Sequence, residues 1–147
     1  MQPLSSTTKA YLAGFLDGDG SIYVQLKPNP TYRYGFQIAP YVVFFQSKKS
    51  KKLFEKLCFL VGTGYVRKRK DGVIEYIIGK TEAIREFLAA IAPYVILKKE
   101  QVGLMLEILD YREKVTTKQE FKMLMKMIDR FRELNYSKKR LKRSMIP

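Results

Sequence analysis

Apolar residues near the start of the chain fall at helical spacing. Leu12, Phe15 and Leu16 share one face, and Ser5 to Thr8 place side-chain oxygens where a helix would begin. The spacing predicts a helix ending near Gly18 and Gly20, with Asp19 just beyond it. From Ser21 to Lys27 the period changes to two. Ile22, Val24 and Leu26 alternate with Tyr23, Gln25 and Lys27, the pattern of a strand with one buried face. The segment KPNPTYRYG reads as a turn, and alternation resumes from Phe36 to Gln46, so the two strands make a long hairpin. Leu53, Leu57 and Val61 then recur every four residues, which predicts a second helix with those side chains inward and a stop at Gly62 and Gly64. A second hairpin is expected from Gly64 to Lys70 and Val73 to Gly79, turned by Asp71-Gly72. Thr81 is placed to cap a third helix that buries Ile84, Phe87, Leu88 and Ile91 and stops at Pro93. A fourth helix runs through Val102, Met105, Leu106 and Leu109. Thr117 and Glu120 have capping-box spacing and open a fifth, with Phe121, Leu124, Met125, Ile128 and Phe131 inward.

The order α-β-β-α-β-β-α, followed by C-terminal helices, predicts an α+β fold whose economical assembly is a four-stranded antiparallel sheet covered by helices on one face. At 147 residues and 46% hydrophobic content the chain supports one core, read as a single domain over residues 1–135 with a basic tail over residues 136–147.

Composition narrows the chemistry. The 28 Lys and Arg against 14 Asp and Glu leave a net charge of +14, which a polyanionic duplex would attract through counterion release. Histidine is absent, which excludes Ser-His triads and His-metal nucleases, so chemistry must use carboxylate, amide, lysine or metal-bound water. Cys58 is the only cysteine and lies among apolar residues, so no disulfide framework is available. No stretch approaches the roughly 18 apolar residues of a membrane span, and the first residues lack an export pattern. The chain is therefore expected to be soluble where it is made, with no membrane partner and no organic cofactor.

Residues 12–20 read LAGFLDGDG, and each glycine inside a helix costs up to about 1 kcal/mol relative to alanine. Ala10, Gly14 and Gly18 form a smooth stripe opposite Leu12, Phe15 and Leu16, which lets another backbone approach closely. The chain holds one such helix, so its natural partner is the same helix of a second copy. The expected homodimer interface is Ala10, Ala13, Gly14, Asp17 and Gly18. Such a contact would bring two Asp19 carboxylates together at the negative ends of two helices, which favours magnesium, with calcium or manganese as substitutes. An EF-hand reading of the same aspartates fails, because Ile22 and Pro28 stand where its glycine and closing glutamate should be. The plainer alternative is a turn after a helix.

LAGFLDGDGSI resembles the signature of LAGLIDADG homing endonucleases, specifically the single-motif, homodimeric kind of algal organellar introns. The element order, KPNPTYRYGFQ, GYVRKRKDG and LKKEQ extend the similarity over most of residues 8 to 142. The resemblance implies a saddle-shaped sheet in the DNA major groove, and metal-assisted hydrolysis that breaks both strands of a long pseudo-palindromic target. It also implies intron mobility in a chloroplast or mitochondrion. Asp19 and the main-chain carbonyl of Gly18 correspond to the family's metal ligands, Gln46 to its water-positioning amide, and Lys98 to its lysine near the scissile phosphate. Where relatives carry a basic residue this chain has Ser50, flanked by Lys49 and Lys51, either of which could substitute. Asp17 reads as structural at the helix end. A non-cleaving binder of intron RNA or of DNA is the competing class; the joint presence of Asp19, Gln46 and Lys98 favours cleavage.

The strand faces supply candidate base readers. Tyr23, Gln25, Lys27 and Asn29 share one parity, as do Gln37, Ala39, Tyr41 and Val43, then Arg67 and Arg69, and Glu75 and Ile77; Thr31 and Tyr32 extend the set into the turn. Lys48, Lys49, Lys51 and Lys52, with Lys138, Lys139, Arg140, Lys142 and Arg143 of the tail, are candidates for phosphate contacts that position without specifying. Removing Lys138 and Lys139 is expected to weaken binding uniformly across sequences and to reduce the salt slope by about two. Titrations at several salt concentrations check this, and an unchanged slope would leave the tail as a solubility device.

Overall fold

The computed structural model describes residues 1–135. Helix α1 spans Ser6–Asp19 and begins as expected, with the Thr8 N–H donating to Ser5 Oγ at 3.2 Å. Its end differs from the sequence reading. Gly18 is helical and Gly20 is already extended, at φ −108° and ψ 169°, so no left-handed glycine cap forms and the helix runs directly into strand β1, Gly20–Pro28. Asp19 is the last helical residue, not the first beyond it. Glycine is required at position 20 for space, since a Cβ there would lie 2.5 Å from Leu16 Cδ1 and 2.8 Å from the Leu16 backbone.

Strand β2, Phe36–Ser47, pairs antiparallel with β1 from Gly20 opposite Phe44 to Pro28 opposite Phe36. A 3-10 turn at Lys48–Ser50 leads into α2, Lys51–Val61. Of Leu53, Leu57 and Val61, Val61 is buried and Leu57 packs against the core, and only Leu53 points outward. Phe54 and Val61 are buried, whereas Leu53 is 65% exposed, because Phe54 packs into the ring cluster formed with Phe15 and Tyr76. Gly62 closes α2 in the left-handed region, its N–H donating to Cys58 O at 2.9 Å.

The second hairpin is shorter than the alternation suggests: β3 is Tyr65–Lys68 and β4 is Val73–Ile78. Its turn is not the two-residue kind either. The Arg69 N–H donates to Val73 O at 2.8 Å around Lys70-Asp71-Gly72, and Gly72 alone takes a positive φ, so the connection is a three-residue loop with a glycine bulge. The sheet order is β1-β2-β4-β3, all antiparallel, with one central strand from each hairpin.

Helix α3, Thr81–Ile91, buries the four residues assigned to it, but Thr81 is not its cap. Lys80 holds that position without a side-chain bond, and Thr81 Oγ1 accepts from Arg112 at 3.3 Å. Helices α4, Lys99–Lys114, and α5, Lys118–Leu134, follow, and α5 opens on the complete Thr117–Glu120 capping box, a device worth roughly 1 kcal/mol.

One continuous core joins Leu12 and Leu16 of α1, Ile22, Val42, Phe44, Tyr76 and Ile78 of the sheet, and the inner faces of α3, α4 and α5. Phe44 stacks on Tyr76 with ring centroids 5.7 Å apart and meets Phe87 edge-on. Helices thus cover the face carrying Ile22 and Phe44. The opposite face, with Tyr23, Gln25, Lys27, Tyr41 and Arg67, lies open.

Candidate active site and nucleic-acid interface

The foot of α1 brings together the three residues proposed for chemistry. Gln46, near the end of β2, donates through Nε2 to Asp19 Oδ2 at 3.1 Å. Lys98, just before α4, donates through Nζ to the main-chain carbonyl of Asp17 at 2.9 Å. Side chains separated by up to 79 positions therefore lie where the helix meets the sheet.

Asp17 arranges this convergence. Its carboxylate accepts N–H groups from Ile96 at 2.8 Å, Leu97 at 3.1 Å and Lys98 at 3.0 Å, stapling the segment before α4 onto α1. Burial alone would raise the Asp17 pKa, but those donors and the Lys98 ammonium outweigh it and hold the carboxylate below its ordinary 3.8. A depressed pKa contributes stability that is present above the unfolded value and lost as pH falls through the folded one. Thermal melts over the acid range are therefore expected to fall more steeply for the wild type than for Asp17→Asn. Parallel acid limbs would count against the staple. Its carboxylate is thus engaged within the chain, beside the main-chain carbonyl that holds Lys98.

The stripe on α1 divides in a similar way. Ala10, Gly14 and Gly18 are exposed, and a Cβ added at Gly14 or Gly18 would meet nothing within 4 Å of this chain. Ala13 is fully buried in the chain's own core, a correction to its placement on the outer face, because it lies one residue round the helix toward Leu12 and Leu16. The sequence reading missed the apolar rims beside the stripe. Tyr11 is 64% exposed and Ile96 and Leu97 are each 75% exposed, and a groove of about 790 Å³ between α1 and α2 is lined by Ala10, Gly14, Leu53, Leu57 and Leu60 and also by Asp19 and Gln46. The signal was available in Leu53 and Leu60, whose helical phase differs from that of Phe54.

Among the described residues, no three His, Cys, Asp or Glu side chains come together. One chain alone thus lacks the carboxylate set of an enclosed cation site. It offers two hard oxygen donors, the exposed Asp19 carboxylate and the Gly18 carbonyl, at the negative end of a helix dipole. These donors fit a divalent cation whose remaining ligands come from elsewhere.

On the open sheet face, Tyr23, Gln25, Lys27, Gln37, Tyr41 and Arg67 present surface. Four assigned readers do not. Val43 is 0%, Ile77 4%, Glu75 5% and Ala39 8% exposed. Glu75 Oε1 accepts from Arg67 Nε at 3.0 Å and Nη2 at 2.6 Å, so it fixes the guanidinium instead of meeting a base. Arg69 lies in the turn beyond β3 and pairs with Asp71 at 2.7 Å. Asn29 lies beyond β1, its Oδ1 accepting from the Thr31 N–H and hydroxyl, while Thr31 and Tyr32 are exposed at the loop. Phe45 and Tyr65 share the open parity and were overlooked, although alternation from Val43 and Arg67 points to both. Lys48, Lys49 and Lys51 are exposed at the end of β2; Lys51 pairs with Glu55 at 3.8 Å, leaving Lys49 as the neighbour of Ser50 without an ion pair among the described residues. Lys138, Lys139 and Lys142 lie outside the described residues.

Comparison with known proteins agrees with this geometry. Residues 12–104 match the model of a family described as LAGLIDADG endonuclease. The DNA endonuclease I-CreI of Chlamydomonas reinhardtii is 38% identical over 100 residues, covering 68% of this chain and 61% of the relative. The DNA endonuclease I-CvuI of Chlorella vulgaris is 33% identical over 100 residues, covering 68% and 62%. The aligned region thus spans about three-fifths of each relative's length. A crystal structure of the homing endonuclease I-CvuI in complex with the I-CreI target in the presence of magnesium superposes with a TM-score of 0.84 at 28% identity, covering 92% of this chain and 86% of that one. A second I-CvuI structure, with its own target and calcium, gives the same values. The α+β architecture is accordingly the one seen in those proteins.

Proposed function

Because the chain belongs to the LAGLIDADG endonuclease family, we propose that it is one half of a homodimer that breaks both strands of a long, near-palindromic DNA site by metal-dependent phosphodiester hydrolysis. The observation that carries this reading is the Asp19–Gln46 hydrogen bond at the foot of an exposed small-residue helix face. A donor set too small in one chain becomes adequate when two such faces meet, since each contributes Asp19 and the Gly18 carbonyl. The apolar rims around Tyr11, Leu53, Leu60, Ile96 and Leu97 supply area for that contact.

A divalent cation held there, magnesium with calcium or manganese as substitutes, would lower the pKa of water and draw charge from the phosphate. The chain's own residues do the rest. Gln46 spends one N–H on Asp19 and keeps its amide oxygen free to orient a water by accepting a hydrogen bond from it. Lys98, held by the Asp17 carbonyl, retains two N–H donors for charge developing on phosphorus oxygens. Gln25, Lys27, Gln37 and Arg67 face the major groove as readers, and Lys48 and Lys49 meet phosphates. The algal sources of the two relatives favour an organellar intron, of chloroplast or mitochondrion, as the setting, with intron mobility as the outcome.

Selecting cleaved duplexes from a randomised pool in magnesium tests the reading. A recurring, roughly two-fold symmetric site, uncut when the metal is chelated, is expected. Binding of intron RNA with no cleavage of any duplex would overturn it in favour of a non-cleaving binder.

A further inference from the structure

The register sets side chains of the open face in rows across the strands. Ser21, Val43, Ile77 and Tyr65 form one row; Tyr23 faces Tyr41 in the next, with Gly79 just past the end of β4. Gly79 has no side chain, and a Cβ there would lie 3.5 Å from Tyr41 Cε1, so the Tyr41 ring rests against bare backbone. Two more contacts fix it. Lys27 Nζ donates to its hydroxyl at 2.8 Å, and the Tyr23 ring lies 5.3 Å away, centroid to centroid, tilted by 36°. Tyr23 leans toward the Arg67–Glu75 pair: burial and then the nearby Glu75 charge push its phenol above the ordinary value, so the hydroxyl keeps its proton.

The result is an ordered apolar step, half-buried, set among Gln25, Lys27 and Arg67. Rings held by neighbours in the free protein lose little conformational freedom on contact. The Tyr41 hydroxyl already accepts from Lys27, so the ring faces are the surface the step offers. Major-groove edges display one apolar group, the 5-methyl of thymine.

We propose that the Tyr23–Tyr41 step reads a thymine methyl at one position in each half of the DNA site, an inference that rests on the endonuclease reading above. Tyr41 also holds Lys27, so the lysine addresses the adjoining base pair from a fixed point.

The test begins with the duplex selected from the randomised pool. Each thymine is replaced in turn by deoxyuridine, which removes the methyl alone, and binding is measured in calcium. One fixed thymine per half-site is expected, and its replacement should weaken binding about fourfold in one half and about fifteenfold in both, the scale of one buried methyl per contact. Tyr41→Ser is expected to abolish that sensitivity while uridine elsewhere acts as before. A pool from which nothing is cleaved overturns the endonuclease reading and this inference with it. Cleavage at sites with no thymine preference, or wild-type binding that changes by less than about twofold at every uridine, overturns this inference alone. Tighter binding to the single strand of the same sequence would make the rings a base-stacking platform and overturns it too.

Discussion

Replacement of Asp19 by asparagine is expected to lower the rate of strand cleavage by about 10³-fold or more while changing duplex affinity little, because it removes a hard anionic donor from the reacting centre and leaves every base-reading side chain in place. The side chains are nearly the same size, and Asp19 is exposed, so the fold does not depend on its charge. The Gln46 amide keeps an oxygen partner in the variant, which separates loss of charge from loss of geometry. Single-turnover cleavage and equilibrium binding, measured on the same duplex, check the result. Equal losses in both would mean that Asp19 serves recognition, and undiminished cleavage would remove it from the chemistry.

Gly14→Ala should separate the chain from its twin. In one chain a Cβ at Gly14 meets nothing within 4 Å, and alanine favours a helix over glycine by about 1 kcal/mol, so an isolated chain should become slightly more stable. In a two-fold contact the same methyl enters the interface twice, and overpacking of about 1–3 kcal/mol per copy would raise the dissociation constant by roughly 30-fold to 10⁴-fold. Sedimentation or light scattering across a dilution series, beside thermal melts at low concentration, reads the two effects separately. Greater stability together with unchanged association would place the stripe away from any interface.

Helix α5, its capping box and its buried face are all visible in the order of residues, because local hydrogen bonding and periodicity decide them. The strand parities are visible for the same reason. What periodicity did not reveal was decided by long-range packing. Leu53 and Phe54 are equally apolar, and only the ring cluster with Phe15 and Tyr76 selects Phe54 for the interior. Val43 and Ile77 lie on the open face by parity, yet both are buried. At the site, Asp19, Gln46 and Lys98 came from a family motif and its flanking segments. The role of Asp17 needed the fold, since its three donors lie 79 to 81 positions away and nothing in the local spelling joins them.

The doubly bonded Arg67–Glu75 pair bears on any attempt to redirect the protein to a new address in a genome. A designer who trades Arg67 alone for a neutral side chain strands an anion that is 5% exposed beside a polyanion, a loss on both folding and docking counts. Under the proposed function the two positions would behave as a single letter of the recognition alphabet, to be rewritten together or left alone.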